Sequence, residues 1–201
     1  MNSRIGILGG TFNPIHNGHI RLALCAVDEL SLDKVLIMPS GKSYFKNQDE
    51  IVNTLHRVNM VNLAIEDYPK LILDDMETKR EGNSYTYETL EILSNKYITD
   101  DLYYIIGADT LFSIETWRMP QTIFNLSTIV TCKRNNHSQE ELEIQRDHLI
   151  SEFGARIVLL DCPEYDISST QIRNNIRQGL SLKNLVCSNV EQYIFDEGLY
   201  K

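Results

Sequence analysis

The sequence predicts a doubly wound α/β protein: a mainly parallel sheet with helices on both faces. Six short apolar runs rich in β-branched or aromatic residues recur along the 201 residues. Stretches of helical periodicity lie between them. Strands alternating with helices in this way call for right-handed crossovers between parallel neighbours. In such a sheet ligands gather at the carboxyl ends of the strands, so the segments following each run are where chemistry is to be sought.

The runs are IGIL (5–8), VLIM (35–38), LIL (71–73), LYYII (102–106), TIVTC (128–132) and RIVLL (156–160), which read as buried strands. Helical spacing links Ile20, Ala23, Leu24 and Val27; then Leu55, Val58, Val61 and Ile65; then Leu90, Leu93 and Tyr97. Two later helices start in capping boxes, Ser138 with Glu141 and Ser188 with Glu191, and the first stops at Gly154. The polar stretch KRNNHSQEE (133–141) reads as an exposed connection. No repeat or low-complexity segment divides the chain, so residues 1–201 are expected to form a single domain, with a helical part from about 166 to 201.

Composition narrows the function classes. With 42% hydrophobic and 23% charged residues the chain reads as soluble and globular, and no stretch approaches the ~18 apolar residues of a membrane span. The opening MNSRIGIL lacks a secretion signal, and a cytoplasmic location is expected. Cys25, Cys132, Cys162 and Cys187 contain no C-x-x-C pair, which argues against a zinc site and a disulfide framework and for reduced thiols. A net charge of −9 argues against nucleic acid or acidic membrane as a partner. An anionic substrate would need positive groups concentrated locally.

Gly9 and Gly10 follow the first strand, where a sharp turn with bare backbone brings N–H groups against a phosphate. The G-x-G-x-x-G pattern is absent, and GKS (41–43) has Leu36 where a Walker loop needs glycine. Asn13 and Pro14 make a turn, and a helix beginning near Gly18 turns its N–H groups to the same spot. His16 and His19, three apart, direct both imidazoles past the strand end toward one ligand. A metal pair lacks a third ligand nearby, and a structural role stays open for either histidine singly. Phosphate binding is the preferred reading, because imidazole N–H groups donate to oxygens whose charge grows during reaction.

The stretch GGTFNPIHNGH (9–19) is similar to the T/H-x-G-H signature of the nucleotidyltransferase superfamily, whose fold is Rossmann-like. Within it the whole chain resembles the bacterial nicotinate-nucleotide adenylyltransferases. REGNSYTYETL (80–90), YIIGADTLFSIETW (104–117), DISSTQIR (166–173) and VEQYIFDEGLY (190–200) carry that likeness in family order.

Each motif also has a local reading. Ser168, Ser169 and Thr170 open a helix whose apolar positions are Ile172 and Ile176 and which ends at Gly179; one serine would satisfy capping. Three hydroxyls followed by Arg173 suit phosphate better, and the resemblance implies that this helix end holds the ATP phosphates opposite the histidines. Asp109 is placed to cap the next helix. The resemblance assigns it and Gly107 to the ATP site with Gly9, Gly10, Thr11 and Phe12. Trp117, the single tryptophan, suits a core, whereas the resemblance implies a pyridine ring stacked on it. Tyr85 and Thr86 start a helix whose unpaired N–H groups would receive a small carboxylate.

Two departures stand out. Where the family has P-P-H-K this chain reads SYFK (43–46), so Lys46 survives as a phosphate contact, Phe45 donates nothing, and Lys42 lies nearby. Arg118 follows Trp117 where an aromatic residue is frequent. The resemblance implies transfer of AMP from ATP to nicotinate mononucleotide, with His16, His19, Lys46 and Arg173 as catalytic donors and Mg2+ arriving on the ATP. Nicotinamide mononucleotide or another phosphate-bearing acceptor, and a nucleotide-binding module without catalysis, are the alternatives. Oligomeric state is left open, a homo-oligomer included.

Overall fold

The computed structural model describes residues 2–41, 51–132, 137–162 and 166–201. Six strands form one sheet: β1 (Arg4–Gly10), β2 (Lys34–Pro39), β3 (Leu71–Leu73), β4 (Asp101–Ile105), β5 (Thr128–Cys132) and β6 (Arg156–Leu160). Their order is β3-β2-β1-β4-β5-β6, and every pairing is parallel. The order reverses between β1 and β4, which opens a crevice at the carboxyl end of β1.

Alternation along the buried strands builds two cores. Leu8, Ile37, Ile105 and Val130 pack with α1 (Asn17–Glu29), α2 (Thr54–Ile65), α8 (Ser169–Arg177) and α9 (Ser188–Asp196). Ile5, Ile7, Met38, Tyr104 and Ile129 pack with α4 (Thr86–Lys96), α5 (Ala108–Leu111), α6 (Pro120–Leu126) and α7 (Gln139–Phe153). A single turn, α3 (Met76–Lys79), follows β3. Gly6 lets the layers close, since a Cβ there would meet Val35 Cγ2 at 2.8 Å and Leu32 Cδ1 at 2.9 Å. Among the described residues no helix is long and apolar enough to cross a membrane.

Helix punctuation follows the sequence at α7. Ser138 Oγ accepts the Glu141 N–H at 3.2 Å, the Glu141 carboxylate accepts the Ser138 N–H at 2.7 Å, and Gly154 closes the helix at φ 62°. At α9 the expectation is corrected: Cys187, extended at φ −72°, ψ 158°, is the N-cap and Ser188 is already helical, so no capping box forms. Within 133–141, residues 133–136 lie outside the described residues.

The cysteine expectation is also corrected. Cys25 on α1 and Cys162 just past β6 form a disulfide, while Cys132 and Cys187 do not. Spacing rules detect local pairs, and this pair is separated by 137 residues and joined by the crossover topology alone. The Glu29 carboxylate accepts the Asp161 N–H at 3.1 Å beside it.

Closing so long a loop removes unfolded-state entropy worth about 5 kcal/mol in the chain-entropy model. Reduction with a phosphine, or the Cys25→Ser variant, is therefore expected to lower Tm by roughly 10 °C or more, read by calorimetry with and without reductant.

Candidate active site

The segment between β1 and α1 is built from inward-facing carbonyls. Gly9 and Gly10 are not themselves the turn, as the sequence suggested; both remain in β1, paired with Met38 and Pro39. A Cβ on Gly10 would meet the Phe12 ring at 2.8 Å, and one on Gly9 the Tyr104 hydroxyl at 3.3 Å. The chain turns one step later, at buried Phe12 in the left-handed region with φ 48°. A cis Asn13–Pro14 peptide follows.

Four distant parts of the chain hold this loop. The buried Arg57 of α2 donates from Nη1 to the Thr11 carbonyl at 2.8 Å and from Nη2 to Thr54 Oγ1 at 3.1 Å. Burial pushes its guanidinium below the ordinary range, with Tyr200 acting the other way. Arg173 Nη1 of α8 donates to the Asn13 carbonyl at 3.1 Å, and the Ser169 hydroxyl to the Pro14 carbonyl at 2.9 Å. Asn13 Oδ1 accepts the Tyr200 hydroxyl at 3.1 Å and the Val52 N–H at 3.2 Å. Burial pushes the Tyr200 phenol above its ordinary range. The segments 9–19 and 168–173 thus lie against one another.

His16 is the N-cap of α1, and its ring stacks on His19 at 3.6 Å between centroids. The His16 N–H donates to His19 Nδ1 at 3.2 Å. Neutral His19 therefore carries its proton on Nε2, as a donor. Phe12 presses edge-on against His19 at 5.0 Å. Among the described residues no third His, Cys, Asp or Glu ligand atom gathers with the two histidine rings. Of the three α8 hydroxyls, Ser168 caps the helix by accepting the Gln171 N–H at 3.1 Å, Ser169 holds Pro14, and Thr170 Oγ1 accepts from Arg173 Nη2 at 3.4 Å.

A cleft of about 470 Å³ opens beside the loop, lined by Gly9, Gly10 and Thr11 on one side and by Ser84, Tyr85, Thr86, Trp117 and Arg118 on the other. Tyr85 is the N-cap of α4 and its side chain caps nothing there. Thr86 Oγ1 is 3.2 Å from the Tyr104 hydroxyl, and burial pushes that phenol up to about 12. Trp117 meets Tyr104 edge-on at 6.4 Å while packing against the core, so it serves core and cleft together.

Glu77 of α3 also lines the cleft. Its carboxylate accepts the buried Thr89 hydroxyl at 2.6 Å, and that hydroxyl accepts from Arg80 Nη2 at 2.8 Å. Burial pushes the carboxyl up, against the bond from Thr89 and the Arg80 charge. Sequence reasoning did not single out Glu77, Ser40, Ser84, Tyr104 and Thr116, although the last three lie in the stretches 80–90 and 104–117 that carry the resemblance; tertiary contact brings all five to the cleft. Gly107 and Asp109 do not line this cleft. Gly107, not Asp109, is the N-cap of α5, and Asp109 pairs with His137 Nε2 at 3.1 Å. Its reading as a cap is corrected, because its own backbone is already helical. Lys42, Phe45 and Lys46 lie outside the described residues.

The cytidylyltransferase-like family profile matches residues 7–175. A "Probable nicotinate-nucleotide adenylyltransferase" of Clostridium beijerinckii is 39% identical over 203 residues, covering 98% of this chain and 99% of the relative. Relatives of the same name from Clostridium tetani (97% of this chain, 98% of the relative) and Lachnoclostridium phytofermentans (98% and 98%) are 38% and 35% identical. In fold, the chain matches the Plasmodium falciparum nicotinic acid mononucleotide adenylyltransferase, solved in complexes with APC and with NaAD. The TM-scores are 0.80 and 0.81 at 19% identity, over 99% of this chain and 98% of that one.

Removing the Tyr200 hydroxyl alone, in Tyr200→Phe, is expected to cost about 1 kcal/mol, or about 2–4 °C in Tm, read by thermal unfolding. Glu77 has the sign of a raised carboxyl: its contribution to stability is complete below the ordinary value of 4.5 and is lost as pH rises through the raised one. Urea unfolding is therefore expected to find Glu77→Gln gaining on the parent as pH rises from 4 to 8.

Proposed function

We infer that this chain, which belongs to the cytidylyltransferase-like family and within it to the nicotinate-nucleotide adenylyltransferases, transfers AMP from ATP to nicotinate mononucleotide. Pyrophosphate leaves, and nicotinate adenine dinucleotide forms as a precursor of NAD. The observation that carries the reading is the junction of the β1–α1 loop with the start of α8 beside an open cleft, fixed by the bonds from Arg173 and Ser169 to Asn13 and Pro14.

The reaction needs no protein nucleophile. A phosphate oxygen of the mononucleotide attacks the α-phosphorus of ATP, the bond to the β-phosphate oxygen breaks, and the electron pair leaves with pyrophosphate. The protein's task is to hold two anions in line and stabilise the charge that builds on the phosphoryl oxygens. His19 Nε2–H, His16 and Arg173 are the donors in this reading, with the start of α8 facing them and Lys46 as a further phosphate contact. Gly9 to Phe12, Gly107, Asp109 and Ser168 to Thr170 belong to the ATP side. Tyr85, Thr86 and Trp117 belong to the acceptor side.

The donor set around the loop is cationic and N–H-bearing. Such a set suits a Mg2+ held by the nucleotide's own phosphates, where it neutralises their charge.

The deciding experiment is pyrophosphate release from ATP with nicotinate mononucleotide, with nicotinamide mononucleotide as control. ATP binding without release on either acceptor would overturn the assignment. His19→Ala is expected to lower kcat by about a hundredfold to a thousandfold with the circular dichroism spectrum unchanged, the scale for losing one transition-state donor.

A further inference from the structure

The cleft holds one strongly cationic side chain among its described lining residues, and the catalytic reading does not use it. Arg118 sits at the rim, on the segment that runs from the turn Ile114–Thr116 into α6. The backbone on either side is tightly specified: Trp117 is extended at φ −71°, Met119 is left-handed at φ 54°, and Pro120 opens α6. A left-handed non-glycine residue is strained, and such residues collect at functional sites. Here the kink fixes where Arg118 leaves the main chain.

Its guanidinium lies over the Tyr85 ring, 4.8 Å from the centroid, and 5.9 Å from that of Tyr87. An aromatic face holds a cation without neutralising it. The neutral Tyr85 hydroxyl also bonds the guanidinium, and among the described residues no carboxylate stands at ion-pair distance from it; Glu88, 4.0 Å from Arg80 Nη1, acts on Arg118 only from farther off. The charge is therefore available to a ligand. It stands at the wall formed by Tyr85 and Thr86, on a protein whose net charge of −9 would otherwise repel an anion.

We propose that Arg118 is the specificity-determining residue for the acid form of the acceptor, its guanidinium taking the pyridine carboxylate against the Tyr85–Thr86 wall. The assignment rests on the adenylyl-transfer reading above. A guanidinium and a carboxylate match in a planar, two-bond fork. An amide at the same place offers one oxygen, no charge, and an NH2 group whose hydrogens oppose those of arginine. Selection arises as the difference between these two binding energies.

The test compares the parent with Arg118→Gln and Arg118→Lys in two measurements. In turnover, Arg118→Gln is expected to raise KM for nicotinate mononucleotide about tenfold or more, with kcat, KM for ATP and kinetics with nicotinamide mononucleotide unchanged. Arg118→Lys, which keeps the charge but not the fork, falls between. Raising salt from 50 to 500 mM lifts KM for the acid more steeply in the parent than in Arg118→Gln, which keeps only the phosphate contacts. Because the chain has one tryptophan, titration of Trp117 fluorescence with nicotinate mononucleotide reads binding without catalysis. The same loss of affinity is expected there, with Tm unchanged. Equal effects on acid and amide, or unchanged affinity for the acid, overturn the proposal. Absence of turnover by the parent sinks the activity, and the titration still decides Arg118.

Discussion

The buried residues Thr11, Asn13 and Pro14 each require a donor for their carbonyl, and the geometry of the site depends on where those donors come from. Arg57 on α2 serves the first, Arg173 on α8 the second, and Ser169 the third. An unpaired buried carbonyl costs about 1–3 kcal/mol, so a loop turned through Phe12 persists only while these partners stay in place. With its acceptors engaged inside the protein, the loop does not confront an anion with lone pairs.

The same bonds solve an electrostatic problem. An acidic chain has to receive two anions, and it does so by placing cations where water is scarce and attraction is strong. Arg57 and Arg173 are bonded to main-chain oxygens, which orient their charge without cancelling it. Arg118 is held on an aromatic face at the other side of the cleft. The carboxylate that lines the cleft, Glu77, is engaged by the buried Thr89 hydroxyl and lies near Arg80.

Much of this was legible in the sequence because it rests on periodicity. The runs at 71–73, 128–132 and 156–160 are strands with those bounds, and Ser138 and Gly154 punctuate α7 as their residue types require. What escaped is what distance in sequence hides. The two glycines suggested a turn, but they are glycines because Phe12 and Tyr104 crowd them, and the left-handed residue is a phenylalanine. Cys25 and Cys162 meet through the order of strands, which no spacing rule encodes. Glu77 carries no sequence pattern that marks it, and the packing of α3 against Thr89 encloses it. Asp109 had the chemistry of a cap but stands two residues too late to be one. The histidines, Tyr85, Thr86 and Trp117 were findable because a motif places them at strand and helix ends.

The hydrogen bond between Tyr200 and Asn13 spans 187 positions. On a ribosome, the loop at residue 13 leaves the exit tunnel long before its last supporting hydroxyl exists. Until then β1 and α1 can form, but the turn between them lacks a partner that is made 187 positions later. A nascent chain therefore carries this loop without its full set of partners until residue 200 has emerged as well.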